Sequence, residues 1–587
     1  MQQRPYGAWP SPLRPEHLAQ DLRFGAAMLS PDGSRVAWLE SRDDHGLVKL
    51  RHLADDADRE LTRGFRVRAG VGYGGGDFTM DDHRLLFVDQ RQGRMVSLAL
   101  EGQSEAVPSL LGPAAGRAAA PTLSPDGRWV CYVHQDSDDV DRLLVSPCRG
   151  HAWPLVVHEG HDFYMQARWS PDGRYLAFVA WDHPQMPWDG CILYLAELAW
   201  RSDPSDLRAE GGTSPRILRV RALAGGDDVA VFQPEFSPDG SSLYFVSDET
   251  GWGQVVRLDL ATGQRLRLTS GEAEHGQPAW VQDMRSYALA EGGRALFVVR
   301  SEMGFRRLYR IDLVDGSMSR VAALAAYDEV HTLHADRAGK RLALVASAAR
   351  QPPRVLVLDL GEGRLKVLAR ASAETFGDSA LAQPEVIAWS AHDGAHLSGL
   401  YYPPTSRDYR ASGAPPVVLM IHGGPTAQST AGWNPACQFL ATRGYGVFAL
   451  NYRGSHGFGR TFMKSLDAAW GEADVADAAA AARHLVALGK ADPARVAIMG
   501  GSAGGYTVLR AMTTLPDQFA AGISMYGISD LLQLAQATHK FEAHYLDRLV
   551  GPLPEQRARY VARSPLSGVD AIRRPLALFQ GADDRAV

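Results

Sequence analysis

The tetrapeptide Ser-Pro-Asp-Gly occurs four times in the first half of the chain, starting at residues 30, 124, 170 and 237. Each copy follows an apolar residue (Leu29, Leu123, Trp169, Phe236) and precedes a short apolar run such as RVAWL, WVCYV, YLAFV or LYFV. These four residues specify a turn: proline sets φ, aspartate caps the turn and glycine takes the left-handed position. Degenerate copies fill the gaps at 79, 289 and 336, before LLFV, ALFVV and LALVA. The seven starts are then spaced by 49, 45, 46, 67, 52 and 47 residues. Second hairpin signals follow several of them, as in RLDLATGQRLRL, RIDLVDGSMSRV and VLDLGEGRLKVL. A period near 45–50 residues with four short strands per unit marks a β-propeller. Seven copies point to seven blades, and the weak sixth copy leaves six or eight open. Strand periodicity and β-branched content exclude a helical solenoid. The 67-residue spacing holds an insertion, WDHPQMPWDG at 181–190, and a polar loop over 202–216. Such loops either line a binding mouth or cover an edge.

The period changes near residues 370–384. Beyond it, VVLMI, VFALN, RVAIM, GISM and PLALF are short continuous apolar runs separated by helical stretches, among them 472–488 with acidic residues in its first turn. Runs buried on both faces and separated by helices mean a largely parallel sheet, and 388–402 reads as its opening antiparallel strands. The expected organisation is an N-terminal segment over 1–20, a propeller over 21–375 and an α/β domain over 376–587. At 587 residues the chain is too long for one ordinary domain, and length by itself points to two to four.

Composition removes several function classes. A formal net charge of −6, with no basic run, argues against nucleic-acid or anionic-membrane partners. The opening MQQRPYGAWPSPLRPEHLAQ has no apolar core of a signal peptide. No apolar stretch reaches the length of a membrane span. Cys131, Cys148, Cys191 and Cys437 show neither metal-ligand spacing nor disulfide density. A cytoplasmic protein without a metal centre is the expectation; oligomeric state, including a homo-oligomer, is left open.

The chemistry gathers in the second half. Gly500-Gly501-Ser502-Ala503-Gly504 matches G-x-S-x-G between an apolar strand (RVAIM) and a helix (YTVLRAM), the context a nucleophile elbow requires. Four glycines around one serine need a reason, because glycine in a regular element costs about 0.5–1 kcal/mol relative to alanine. Sites in such sheets lie at the carboxyl ends of the strands. After the first run comes Ile421-His422-Gly423-Gly424-Pro425, whose glycines let backbone N–H groups face a developing oxyanion, joined by the N–H of Ala503. After the second comes NYRGSHGFG, and after the last GADDRAV, where a carboxylate that orients a base belongs in the chain order Ser…Asp…His.

A propeller followed by HGGP, N-x-RGS-x-G-x-G, G-x-S-x-G-G and G-x-x-D-x-x-V resembles the prolyl oligopeptidase family of serine peptidases. The nearest branch is the acylaminoacyl-peptidase and dipeptidyl-aminopeptidase-like one, which also carries R-W-S-P-D-G leading into W-D-H-P-x-M-P-W-D-G, here Arg168 to Gly173 and Trp181 to Gly190. The likeness covers nearly the whole chain, and it is the joint order of the motifs that makes it specific. It implies an α/β-hydrolase domain with Ser502 as nucleophile, Gly424 and Ala503 as oxyanion donors, no cofactor, and a propeller that admits short peptides only. Counting three on from Gly581 selects Asp584 as the acid; counting two back from Arg585, a substrate-binding position in other branches, selects Asp583. Asp584 is preferred.

One departure matters. The family's catalytic histidine follows the aspartate by tens of residues, and no histidine follows Asp584 here. His422 and His456 fall at family positions with structural roles. The expectation is therefore a serine peptidase of acylaminoacyl- or dipeptidyl-peptidase type whose last strand, helix and base are absent from this sequence, leaving PLALF with an open edge and the chain impaired. Alternatives are an esterase on the same fold and an inactive propeller-based interaction protein.

Overall fold

The computed structural model describes residues 1–19, 22–42, 45–55, 57–100, 108–149, 153–202, 213–373 and 376–584. The repeats fold as seven antiparallel blades of four strands each, over 23–60, 78–111, 117–158, 163–226, 231–267, 287–320 and 329–370. The weak sixth copy forms a complete blade.

The Ser-Pro-Asp-Gly turns owe their repetition to a local hydrogen-bond circuit. In the copy at 170, Ser170 Oγ donates to Asp172 Oδ1 at 2.6 Å and accepts from the Tyr175 amide at 2.8 Å. The Gly173 amide donates to the Ser170 carbonyl at 2.9 Å, and Gly173 sits at φ 70°. The same Ser–Asp bond recurs at Ser30, Ser124 and Ser237. Aspartate and glycine thus act as expected, and the serine bridges the turn to the next strand.

The ring closes without strand exchange. Blade seven reaches blade one through Arg341 Nη1, which donates to the Gly33 carbonyl at 2.8 Å, and through the Arg337 amide to the Pro31 carbonyl at 3.1 Å. Val36 and Trp38 share a core with Val345 and Val355. Inside the ring, Arg168 bonds Glu235 at 3.0 Å and also Asp283, while Arg285 pairs with Glu235 at 2.6 Å. These ions line a cavity together with Pro31, Pro125, Pro171 and Pro238 of the Ser-Pro-Asp-Gly turns.

The insertion divides in two. Strands Cys191–Ser202 and Thr213–Gly226 make one long hairpin, so the end of the expected polar loop, 213–216, is strand instead. Residues 203–212 lie outside the described residues. The stretch 181–190 turns toward the second domain, where Met186 and Trp188 are buried.

The second domain is a seven-stranded sheet in the order Glu385–Ser390, His396–Tyr402, Gly446–Asn451, Val417–Ile421, Val496–Gly501, Ala521–Met525, Leu576–Phe579. The first two pairings are antiparallel and the rest parallel. Val417–Ile421 and Val496–Gly501 are central, which explains their unbroken apolar runs. Leu576–Phe579 is the edge strand, with Leu578 and Phe579 exposed. The N-terminal segment belongs with this domain. Gln2–Gln3 pairs with Tyr409–Arg410, and Arg443 Nη2 donates to the Leu13 carbonyl at 2.8 Å.

Candidate active site

Ser502 stands between strand Val496–Gly501 and helix Ala503–Thr514 at φ 54° and ψ −126°. That conformation costs a non-glycine residue about 1–3 kcal/mol and persists only where surrounding structure holds it. Here the Ser502 amide donates to the Met525 carbonyl at 3.0 Å, and its carbonyl accepts the Tyr506 amide at 2.9 Å.

The surrounding glycines are explained by crowding. A Cβ on Gly500 would lie 2.5 Å from the Gly504 carbonyl oxygen, and one on Gly505 2.7 Å from the Gly527 Cα. A Cβ on Gly504 would meet the Ile421 carbonyl oxygen and stand 2.8 Å from that of His422. The helix therefore starts in contact with the strand end that carries the His-Gly-Gly-Pro loop. On the loop's side, a Cβ at Gly423 would stand 3.5 Å from Ser502 Cβ. The structure thus brings the elbow and the loop together. Among the described residues the Gly424 and Ala503 amides donate to nothing. Both are free for a ligand oxygen.

The loop is held from behind. His422 Nδ1 donates to the Gly423 carbonyl and Nε2 hydrogen-bonds Ser455 Oγ, both at 2.8 Å. Its ring stacks on Tyr452 at 4.4 Å. Removal from water pushes its pKa down to about 4, so it is neutral near pH 7. Burial and the nearby Arg306 push His456 down to about 3. Neither histidine bonds Ser502. The N-x-RGS loop is bracing: the Ser429 amide donates to Asn451 Oδ1 at 2.7 Å, and Arg453 Nη2 pairs with the buried Asp477 at 2.6 Å. Burial raises Asp474 to about 6, and it accepts from Thr507 Oγ1 at 2.6 Å, locking helix Ala473–Ala487 to the elbow helix.

Asp583 and Asp584 lie exposed in the loop after the edge strand. Asp584 Oδ2 accepts from Gln580 Nε2 at 3.1 Å, and neither carboxylate bonds Ser502 or a histidine among the described residues. Arg585 lies outside the described residues.

The domains enclose a cavity of about 360 Å³ lined by Tyr73, Phe163, Trp181 and Trp280 of the propeller and by His539, Lys540 and Phe541 of the second domain. Lys540 pins the contact: its Nζ donates to the Asp139 carbonyl at 2.7 Å, the Asp162 carbonyl at 2.6 Å and Asp141 Oδ1 at 3.0 Å. Tyr73 OH donates to Glu542 at 2.8 Å. Motif reading overlooked Trp280, Lys540 and Tyr545, none of which lies in a recognisable pattern. Among the described residues no group of three His, Cys, Asp or Glu could hold a metal ion, and no helix is long and apolar enough to cross a membrane.

Comparison with known proteins agrees with this architecture. The prolyl oligopeptidase family profile matches residues 432–587. Dipeptidyl aminopeptidase BIII of Pseudoxanthomonas mexicana is 30% identical over 363 residues, which are 60% of this chain and 51% of that protein. An acylamino-acid-releasing enzyme of Arabidopsis thaliana is 23% identical over 76% of this chain and 64% of its own length. The chain thus spans about half to two thirds of these curated relatives. A Mycobacterium tuberculosis puromycin-hydrolysing peptidase of known structure superposes with a TM-score of 0.89 at 32% identity, covering all of this chain and 90% of that one. Two domains of this kind, joined in this order and matched along the whole chain at that identity, establish that the chain belongs to the prolyl oligopeptidase family.

Proposed function

We propose that this protein is a serine peptidase that cleaves short peptides, of dipeptidyl- or acylaminoacyl-peptidase type. The observation that carries the reading is the strained Ser502 beside two free amides, Gly424 and Ala503. In this mechanism Ser502 Oγ attacks the scissile carbonyl while its proton passes to a base. The carbonyl oxygen becomes the oxyanion and accepts from the Gly424 and Ala503 amides. Collapse expels the amine, which takes the proton, and water then hydrolyses the acyl-serine by the same route. Asp584 orients the base, the histidine that the chain order Ser…Asp…His calls for, and Arg585 contacts substrate. His422, with both ring nitrogens engaged, is not that base.

The interdomain cavity supports a preference for short substrates. Its volume is in the small-ligand range, and folded chains do not fit between the pinned domains. The puromycin-hydrolysing relative supports amide over ester cleavage.

The test is labelling of residues 1–587 by a fluorophosphonate probe, with and without added imidazole. Slow labelling at Ser502, accelerated by imidazole and lost in Ser502→Ala, is expected. No labelling under either condition, or equal labelling of Ser502→Ala, refutes the reading. Peptidyl naphthylamides with free and with acetylated amino termini then separate the dipeptidyl from the acylaminoacyl mode.

A further inference from the structure

We infer that the propeller takes part in the chemical step, because Trp280, together with Tyr545, positions the Gly424 amide by clamping Thr426. This rests on the reading of Gly424 as an oxyanion donor. Thr426 is buried two residues beyond Gly424, and each of its polar backbone and side-chain atoms is engaged. Trp280 Nε1 donates to its carbonyl at 2.7 Å, across the domain boundary. Tyr545 OH lies 2.6 Å from Thr426 Oγ1 and accepts from the Thr426 amide at 3.3 Å.

The clamp reaches Gly424 through the tightness of the loop. Gly424 adopts φ 119°, and a Cβ there would stand 2.7 Å from the Thr426 nitrogen. The Ala427 amide closes back on the Pro425 carbonyl at 2.8 Å. With so little slack, a rotation of Thr426 turns the peptide plane that carries the Gly424 amide.

The two clamping side chains are themselves fixed from both domains. Trp280 packs on Trp188 at 4.4 Å and on Tyr545 at 5.9 Å, and Tyr73 meets its edge at 5.7 Å. The insertion stretch 181–190, through Trp188, therefore backs the oxyanion loop as well as the cavity. Tyr545 follows the segment that Lys540 and Glu542 pin to the propeller, at Asp139, Asp141, Asp162 and Tyr73. Neither Trp280 nor Tyr545 touches a reacting atom. Both are positioning residues.

The test uses Trp280→Phe and Tyr545→Phe, which keep a ring and remove one hydrogen-bonding atom. Hydrogen exchange of the peptide spanning 422–428 should accelerate about 3–10-fold in each variant, as loss of one buried hydrogen bond implies, while a peptide over 506–514 stays unchanged. Fluorophosphonate labelling of Ser502 should slow about 10-fold in its maximal rate, with the half-saturating probe concentration within about twofold of wild type. A general packing role would instead speed exchange in both peptides or change probe affinity. Exchange over 422–428 within error of wild type in both variants overturns the clamp. Accelerated exchange with an unaltered maximal labelling rate overturns its link to chemistry. Failure of the wild-type protein to label with imidazole present refutes the Ser502 reading and the catalytic part of this inference, whereas the exchange result alone decides whether the clamp exists.

Discussion

Replacing Gly504 by alanine pits local propensity against tertiary crowding, and the structure predicts the winner. Gly504 is the second residue of the elbow helix, where alanine is intrinsically favoured by about 0.5–1 kcal/mol. Its Cβ, however, would meet the Ile421 carbonyl oxygen and lie 2.8 Å from the His422 carbonyl oxygen. Both are backbone atoms at the end of a strand hydrogen-bonded on each side, to Gly446–Asn451 and to Val496–Gly501. No side-chain rotation relieves the overlap, so helix and strand must separate. Overpacking of this kind costs about 1–3 kcal/mol, and the net change is a destabilisation of about 0.5–2 kcal/mol. The same displacement moves the peptide planes that lead into Gly424, and misplacement of about an ångström can cost a hundredfold in rate. Urea unfolding followed by tryptophan fluorescence should report the loss of stability, and Ser502 labelling should fall at least about tenfold. A variant that is stabilised by about 0.5–1 kcal/mol, with labelling intact, would refute the reasoning.

Other perturbations follow from the ion pairs and buried histidines. Lys540→Met leaves the Asp141 carboxylate, whose side chain is 1% exposed, with Gln135 as its remaining charge-stabilising donor; a loss of about 3 kcal/mol is expected. A double-mutant cycle with Asp141→Asn should show coupling above about 1 kcal/mol, and additivity would contradict it. Arg168→Met removes the hydrogen-bonded partner of Asp283 inside the propeller ring and leaves Glu235 with Arg285; it should cost about 3–5 kcal/mol, seen as a lower melting temperature, and an unchanged one counts against the network. His422 has its folded pKa lowered to about 4 from an ordinary 6.5, so between those values the unfolded chain binds the extra proton. Its contribution is therefore complete above pH 6.5 and is lost as pH falls toward 4, by up to about 3 kcal/mol. The stability difference between wild type and His422→Gln should shrink across that window, and a flat difference would show that His422 is not held neutral.

Legibility divides along sequence separation. The Ser-Pro-Asp-Gly turns close their hydrogen bonds within five residues, so the repeat could be read and seven blades counted. The degenerate sixth copy was harder, because Glu291 at φ 54° takes a backbone state that its side chain does not advertise. The elbow was readable for the same reason as the turns: glycine density signals close approach. The partner in that approach, the carbonyls of Ile421 and His422, came only from the fold. Asp584 follows from motif spacing alone, and in its loop the carboxylate accepts from Gln580.

From the sequence alone came two domains, the period of the first, the alternation of the second, and a serine set in a turn too small for side chains. Each is a matter of local backbone preference or of which face of a strand is buried, and these repeat over a few residues. Tertiary structure decided what stands behind the chemistry. Trp280 meets Thr426 across 146 residues, Tyr545 meets it across 119, and Lys540 meets Asp141 across 399. Residues 2–3 pair with 409–410. No local pattern encodes such meetings, because they depend on how a closed ring of blades is seated on a sheet, and that is set by the summed packing of both surfaces.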